Sequence, residues 1–270
     1  MSERPETDGY ERKLADLRAR LAALESLAVA FSGGVDSAVL LHAAREALGE
    51  RALGVIADSP SLPRRELEGA RALALEIGAE LVVLPTGELE DPSYRRNAGD
   101  RCYFCKSALF RAMEAFALER GVRALAFGEI ADDLIEDRPG ARAARELAVH
   151  APLSAAGFTK EDVRRYAREH GLAVADKPSS ACLSSRIPHG SEVTRERLAR
   201  VERAEERLKD LGLRQLRVRD HGARARVEVG EAELDRARTL APEIEAALGV
   251  EGWVSHELAV YRSAGARARP

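Results

Sequence analysis

Short, uninterrupted apolar runs alternate with longer stretches of helical spacing through most of the chain. Tyr10–Leu27 carries leucines at intervals of three and four and reads as an amphipathic leading helix. Leu27–Phe31 (Leu-Ala-Val-Ala-Phe) then reads as a buried strand, and Val35–Leu48, rich in Ala and Leu, as a helix. The alternation continues with a strand at Ala52–Ala57, a helix at Pro63–Ile77, a strand at Glu80–Leu84, a helix at Cys105–Arg120 and a strand at Ala124–Phe127. Strands alternating with helices imply βαβ units and a parallel sheet covered on both faces. Ligands of such sheets bind off the carboxyl ends of the strands, here the loops 32–37, 58–63, 128–140 and 176–186.

Thr159–Gly171 has the marks of a capped helix: Thr159 to cap, Glu161 and Asp162 in the first turn, Gly171 to end it. Lys177–Gly190 is a connector rich in Pro, Ser and Gly, and the boundary between two domains is set near its end, dividing the chain into 1–187 and 188–270. The second domain reads as small, α+β and rich in arginine. It has a charged helix from Thr194 to about Leu211, a hairpin of Leu216–Arg219 and Ala223–Val229, a helix through Leu248 and a last strand, Trp253–Tyr261.

The charge balance narrows the function. Lys plus Arg number 42 against 45 Asp plus Glu, a net charge of -3 over 270 residues, so the surface has no general pull toward nucleic acid or an anionic membrane. No run approaches the length of a bilayer span, and Met1–Gly9 is polar and acidic, unlike a secretory leader. A cytoplasmic protein is expected. Its three cysteines then sit in a reducing compartment, where metal ligands or reactive thiols are expected before disulfides.

The most informative segment is Ser32-Gly33-Gly34-Val35-Asp36-Ser37, between the first strand and its helix. A strand, a glycine turn and a helix N-terminus make a nest of N–H groups aimed at an anion; glycines let a phosphate chain approach, and Ser32 and Ser37 add hydroxyl donors. The lysine of the G-x-x-x-x-G-K-[ST] loop is missing, and Asp36 at an anion site calls for a divalent cation between carboxylate and phosphates. The segment resembles the pyrophosphate loop (PP-loop) of the ATP-pyrophosphatase superfamily. That likeness implies an adenine nucleotide alpha hydrolase-like domain that splits ATP into AMP and pyrophosphate and leaves AMP on a substrate oxygen.

Cys102 and Cys105 form a C-x-x-C in Asp-Arg-Cys-Tyr-Phe-Cys-Lys, and a spacing of three on a helix puts both sulfurs on one face. Cys182 lies in the connector, with Lys177 and Arg186 as flanking cations that favour its thiolate. Three readings stand: unrelated buried thiols; a zinc site with a fourth ligand such as His189; or a functional set, either a three-cysteine 4Fe-4S cluster or a reactive Cys182. Three thiolates would leave one iron open to an exogenous ligand such as sulfide.

Together these motifs resemble the LarE family, ATP-dependent sulfur transferases that make the nickel-pincer nucleotide of lactate racemase. The resemblance spans nearly the whole chain. It rests on Ser32–Ser37, Asp100–Lys106, Gly128-Glu-Ile-Ala-Asp-Asp133, Arg138-Pro-Gly140, Ala151-Pro-Leu153 and Lys177-Pro-Ser-Ser-Ala-Cys-Leu-Ser-Ser-Arg186. It implies a pyridinium-3,5-biscarboxylic acid mononucleotide substrate whose carboxylate is adenylated by ATP and becomes a thiocarboxylate. AMP turns a poor electrophile into a good one, which a thiolate or hydrosulfide attacks. In one version of the family the cysteine matching Cys182 gives up its sulfur and becomes dehydroalanine. In the other, three cysteines hold a 4Fe-4S cluster. Cys102 and Cys105 are superfluous to the first version, so ligand count favours the cluster.

The resemblance also implies a catalytic set of Cys182, Asp36 and Lys106, Mg2+ held by Asp36 and Asp133 with Glu129 nearby, and adenosine held at Asp58 and Ser59. Solvated carboxylates and helix capping ahead of Pro63 are the plainer readings of these residues. Arg138 suits phosphate or simple exposure. Arg217 and Arg219 alternate on one strand face, with Arg224 and Arg226 across the hairpin, and suit a substrate phosphate or solvent. Glu205 matches an acidic position of the family. Implied partners are the nucleotide substrate, sulfide or another sulfur donor, and further copies of the chain. Rival readings are a tRNA thiolase with a similar cluster, which balanced charge and Val35 in the loop disfavour, and a non-catalytic ATP-sensing module, which would not need Asp36, Cys182 and the C-x-x-C together. A 7-cyano-7-deazaguanine synthase would want four cysteines.

Overall fold

The apolar runs of the first part of the chain pair as four parallel strands in the order β3-β2-β1-β4 of a computed structural model that describes residues 5–135, 139–178 and 180–262. The elements of this region are α1 (Pro5–Ala22), β1 (Leu27–Ala30), α2 (Val35–Leu48), β2 (Ala52–Asp58), α3 (Arg64–Ile77), β3 (Leu81–Pro85), α4 (Pro92–Arg95), α5 (Arg101–Arg120), β4 (Ala124–Phe127), α6 (Pro139–Glu146), α7 (Pro152–Ala155) and α8 (Lys160–Glu169). Leu27 at the start of β1 is level with Ala52 on one side and Ala124 on the other, so these three strands start together, and β2 runs on to Asp58, past Val55, the partner of Ala30.

Period-two alternation splits β1 between two cores. Leu27, Val29 and Phe31 face Tyr10, Leu17, Leu41 and Tyr166 of α1, α2 and α8. Ala28 and Ala30 face Phe110 and Met113 of α5 and Ala143 and Ala144 of α6. Both faces are therefore covered, and all four residues of β1 are buried, as a central parallel strand requires. Helix α5 begins at Arg101 rather than at Cys105, so Cys102 and Cys105 both lie in its opening turns.

The second unit contains α9 (Arg195–Asp210), β5 (Leu216–His221), β6 (Arg224–Val229), α10 (Leu234–Thr239), α11 (Ala241–Val250) and β7 (Ser255–Val260). The expected hairpin is β5 antiparallel to β6, and β7 adds parallel to β6. The single helix expected through Leu248 is two, divided at Leu240, because Pro242 supplies no N–H and fits only a helix's first turn. The units part at Ser180/Ala181 rather than at 187, and Pro92–Gly99 belongs to the second. Side chains explain the assignment: the Asn97 amide donates to the carbonyls of Ile187, Pro188 and Ser191 at 3.2, 2.8 and 3.0 Å, and the Tyr94 hydroxyl meets Ser184 Oγ at 2.6 Å. No helix among the described residues is long and apolar enough to cross a membrane.

Helix α8 is set by a capping box. Thr159 Oγ1 accepts from the Asp162 N–H at 3.3 Å, and Asp162 Oδ2 accepts from the Thr159 N–H at 2.9 Å and from Lys13 Nζ at 2.7 Å. Burial alone would raise the Asp162 carboxyl, but the bonds from Lys13 and Thr159 outweigh it and hold the group below its ordinary range. Thr159→Ala should lower stability by about 1 kcal/mol in urea unfolding. Asp162→Asn should destabilise at neutral pH, and its penalty should vanish as pH falls through the carboxyl's titration, because a lowered carboxylate contributes only above that range.

Candidate active site

Gly33 adopts φ +70, the left-handed conformation, and a Cβ there would lie 3.1 Å from that of Ala70. Both constraints demand glycine. Ser32 and Ser37 lock the loop: Ser37 Oγ donates to the Gly34 carbonyl at 3.0 Å, accepts from the Ser32 N–H and lies 3.2 Å from Ser32 Oγ. The N–H groups of Val35, Asp36 and Ser37 open α2 and have no carbonyl of their own helix to meet. The α2 dipole adds partial positive charge at the same place. This arrangement suits a polyphosphate.

Gly128, at the end of β4, backs the loop. A Cβ on it would fall 2.8 Å from Ser37 N and 3.0 Å from the Asp36 carbonyl carbon, so two backbones touch with no room for a side chain. The next residues are tied down in turn. Ala131 N–H donates to the Phe158 carbonyl at 2.8 Å, and Asp132 Oδ2 accepts from the Lys160 N–H at 2.6 Å. Lys160 is thereby brought to Asp36, and its Nζ bonds both carboxylate oxygens at 2.8 and 2.9 Å. Lys177 supports the loop from another side, donating to the Gly33 carbonyl at 3.2 Å and to Glu66 at 2.8 Å. Lys177 is thus tied to the loop of the first unit.

Other expected site residues have different surroundings. Asp133 Oδ2 accepts from the Ile130 N–H at 3.3 Å. The Glu129 N–H donates to the Phe127 carbonyl at 3.0 Å. Asp36, Glu129 and Asp133 are not among the described side chains that converge three at a time as a metal's ligands. Asp58 pairs with Arg64 at 2.6 Å. Ser59 is 4% exposed and bonded to Ser61 and Glu88, and neither residue caps α3, whose N-cap is Pro63. Arg138 lies outside the described residues.

The C-x-x-C faces its own cation. Cys102 and Cys105 stand on one face at the N-terminus of α5, where the helix dipole favours thiolate. Lys106 follows them, with its Nζ 5.6 Å from the Phe110 ring centre. Burial pushes the Lys106 ammonium below the usual lysine range, and the charges of Cys105 and Cys102 draw it back up. Gly140 packs on this turn, since a Cβ would meet Lys106 Cγ at 3.1 Å. None of the three cysteines is in a disulfide.

In the second unit, Cys182 begins a 3-10 turn, Leu183–Arg186, whose conformation is held by one guanidinium. Arg186 is 6% exposed, forks onto both oxygens of buried Glu205 at 2.8 and 3.0 Å, and donates to the carbonyls of Ala181 and Cys182. Glu205 also accepts from the Val218 N–H at 3.0 Å. Glu205 therefore anchors the Cys182 loop through Arg186. Arg219 is spent on the same task, bonding the Ser185 carbonyl and Glu228 at 2.8 Å each. Arg224 pairs with Glu257, and Arg226 with Glu257 and Glu228. Arg217 makes no ion pair among the described residues; its guanidinium stacks 4.4 Å from the Tyr261 ring centre. Burial, and then repulsion from Arg186, disfavour its charge, which an anion there would relieve.

No family model matches the chain. An uncharacterized protein of Synechocystis sp., slr1717, is 41% identical over 226 residues, 84% of this chain and 84% of that protein. The pyridinium-3,5-bisthiocarboxylic acid mononucleotide synthase of Lactiplantibacillus plantarum is 36% identical over 223 residues, 82% of this chain and 81% of the synthase. This chain belongs to the LarE family. A glutamine-hydrolyzing GMP synthase of Aeropyrum pernix is 34% identical over 128 residues, 43% of this chain and 24% of that enzyme. That partial match is consistent with a PP-loop domain common to LarE proteins and GMP synthases. The α/β fold with a parallel sheet, expected from the sequence, is the fold observed.

Two substitutions probe this LarE site. Gly128→Ala should cost about 1–3 kcal/mol in urea unfolding, the scale of overpacking, and should weaken ATP binding because it displaces the α2 N-terminus. Lys106→Met should slow alkylation of Cys102 and Cys105 at neutral pH and move its pH profile upward, because removing a cation raises a thiol's pKa.

Proposed function

We propose that this chain adenylates a carboxylate of pyridinium-3,5-biscarboxylic acid mononucleotide and replaces one of its oxygens with sulfur. The observation that carries the reading is similarity to the L. plantarum synthase over about four-fifths of both chains, with a pyrophosphate-type loop at Ser32–Ser37. ATP is the nucleotide, its triphosphate on the loop N–H groups and its charge met by Lys160 and Lys177. The carboxylate oxygen attacks the α-phosphorus, the bond to the bridging oxygen breaks, and pyrophosphate leaves with the electron pair. Asp36 faces the anion site from the first turn of α2 and suits Mg2+ once nucleotide draws Lys160 away. Arg217 is the candidate for the substrate's own phosphate.

In the second step a sulfur nucleophile attacks the acyl carbon, and AMP departs carrying the carboxylate oxygen. Cys102 and Cys105 on one helical face supply two thiolates of a kind that suits an iron–sulfur cluster, and Cys182 is the third. A 4Fe-4S cluster on these three, when bound, would offer sulfide at its open iron. The chain's own contributions are the dipole and Lys106 that favour thiolate, and the Arg186–Glu205 pair that fixes the Cys182 turn. Further copies of the chain as partners, and an external sulfide source, belong to the same proposal.

Anaerobic purification followed by iron and sulfide analysis tests the sulfur source, and pyrophosphate release from ATP plus the mononucleotide tests the activation. Brown protein that bleaches in Cys102→Ala is the expected result. Colourless protein that loses one sulfur in mass at Cys182 on reaction would put the sacrificial route in its place. Asp36→Asn should lower pyrophosphate release by at least about 100-fold, the scale of losing a principal electrostatic group. Absence of pyrophosphate release by the intact protein would sink the enzymatic reading.

A further inference from the structure

Helices α2 and α8 pack side by side, and beyond the Asp36–Lys160 contact they carry a separate group of donors. His42 and Glu46 are one turn apart on α2, and His170 caps the end of α8. One ligand atom from each of these three side chains lies within 4.8 Å of the other two, the one such convergence of three His, Cys, Asp or Glu side chains among the described residues.

The imidazoles are oriented in advance. His170 Nδ1 lies 2.9 Å from the Tyr166 carbonyl oxygen, which can only accept, so Nδ1 is the donor and the neutral ring carries its lone pair on Nε2. That Nε2 stands 4.0 Å from Glu46 Oε2. A backbone carbonyl fixing the far nitrogen is how metal-binding histidines are commonly held in one tautomer. The Tyr166 hydroxyl donates to Glu46 Oε2 at 2.9 Å and lies 3.0 Å from His42 Nδ1. Its ring stacks on His170 at 3.9 Å, and His42 meets both rings edge-on at 5.7 and 5.0 Å. The Glu46 side chain is 42% exposed, so an ion reaches the group from solvent.

We propose that His42, Glu46 and His170 bind a divalent transition-metal ion, with Zn2+ the closest match to two imidazoles and a carboxylate and with water completing the shell. The ion joins the C-terminal part of α2 to the end of α8. Those two helices carry the Asp36–Lys160 contact at their other ends, so the ion acts as a staple behind the phosphate loop and takes no part in the chemistry there.

The test uses the full chain, stripped of metal by chelation, with Zn2+ and Co2+ as the probes. Cysteine sites are separated by spectrum: Co2+ on nitrogen and oxygen ligands gives d–d absorption without a thiolate charge-transfer band. The expected result is that this signal survives in Cys102→Ser/Cys105→Ser and disappears in His170→Ala. Glu46→Gln, a change at an exposed side chain, should weaken Zn2+ binding by about tenfold or more, a loss that even outer-shell changes at metal sites produce. Zn2+ should raise the unfolding temperature of the parent protein but not that of His170→Ala. Unchanged Zn2+ affinity and Co2+ spectrum in a folded His42→Ala/His170→Ala protein would overturn the proposal, as would a Co2+ spectrum of thiolate character alone.

Discussion

The phosphate loop exists because two stretches of backbone are allowed to touch. Gly128 at the end of β4 lies against the first turn of α2 with no space for a methyl group, and Gly33 turns through the left-handed region against Ala70. Those approaches hold the helix start against the sheet's carboxyl edge, where the unbonded N–H groups and the dipole converge. Every other element of the site refers to that position. The 130–133 turn is bonded to Phe158 and Lys160, and Lys177 to the Gly33 carbonyl, so the cations around the loop are placed by the loop itself.

The ion pairs around the loop differ in burial from those around Cys182. Lys160 holds Asp36 and Lys177 holds Glu66, both in partly exposed pairs, and such pairs contribute little to folding. In the proposed ATP complex a polyphosphate would offer each lysine a denser anion and leave Asp36 available to a divalent cation. The Cys182 loop follows the opposite rule. Arg186 and Glu205 are both below a tenth exposed, and removing either would strand a buried charge, so this pair is built to stay. The partly exposed pairs line the loop proposed to take ATP, and the buried pair holds the turn that carries Cys182.

Much of this was readable from residue order because it is local. Apolar runs, helical spacing and the Thr159 cap need only neighbours, and the Ser-Gly-Gly turn carries its reason in its own composition. What escaped depends on partners distant in the chain. Lys160 follows a cap residue and looks like any first-turn lysine, yet it meets Asp36 across 124 positions. Lys177 stands near Cys182 in the sequence, and nothing local announces its bond to the Gly33 carbonyl. Gly128 was one letter of a motif, and only the packing against Ser37 shows why no other residue fits there. Pro92–Gly99 looked like part of the first domain because nothing local announces that Asn97 bonds three carbonyls of the 187–191 loop. Ser59 is likewise a case of distant partners: at the end of β2 its hydroxyl bonds Ser61 and the remote Glu88.

The arginines of the second unit show why counting charges misleads about phosphate sites. Arg217, Arg219, Arg224 and Arg226 look equivalent along two strands, but a guanidinium already bonded to carboxylates loses those bonds if it turns to a ligand. Arg219, Arg224 and Arg226 are committed to Glu228 or Glu257. Arg217 alone of the four stacks on an aromatic ring and makes no ion pair among the described residues, while burial and Arg186 disfavour its charge. A phosphate bound there would relieve that cost, which is why Arg217 is the residue of the four proposed for the substrate's phosphate.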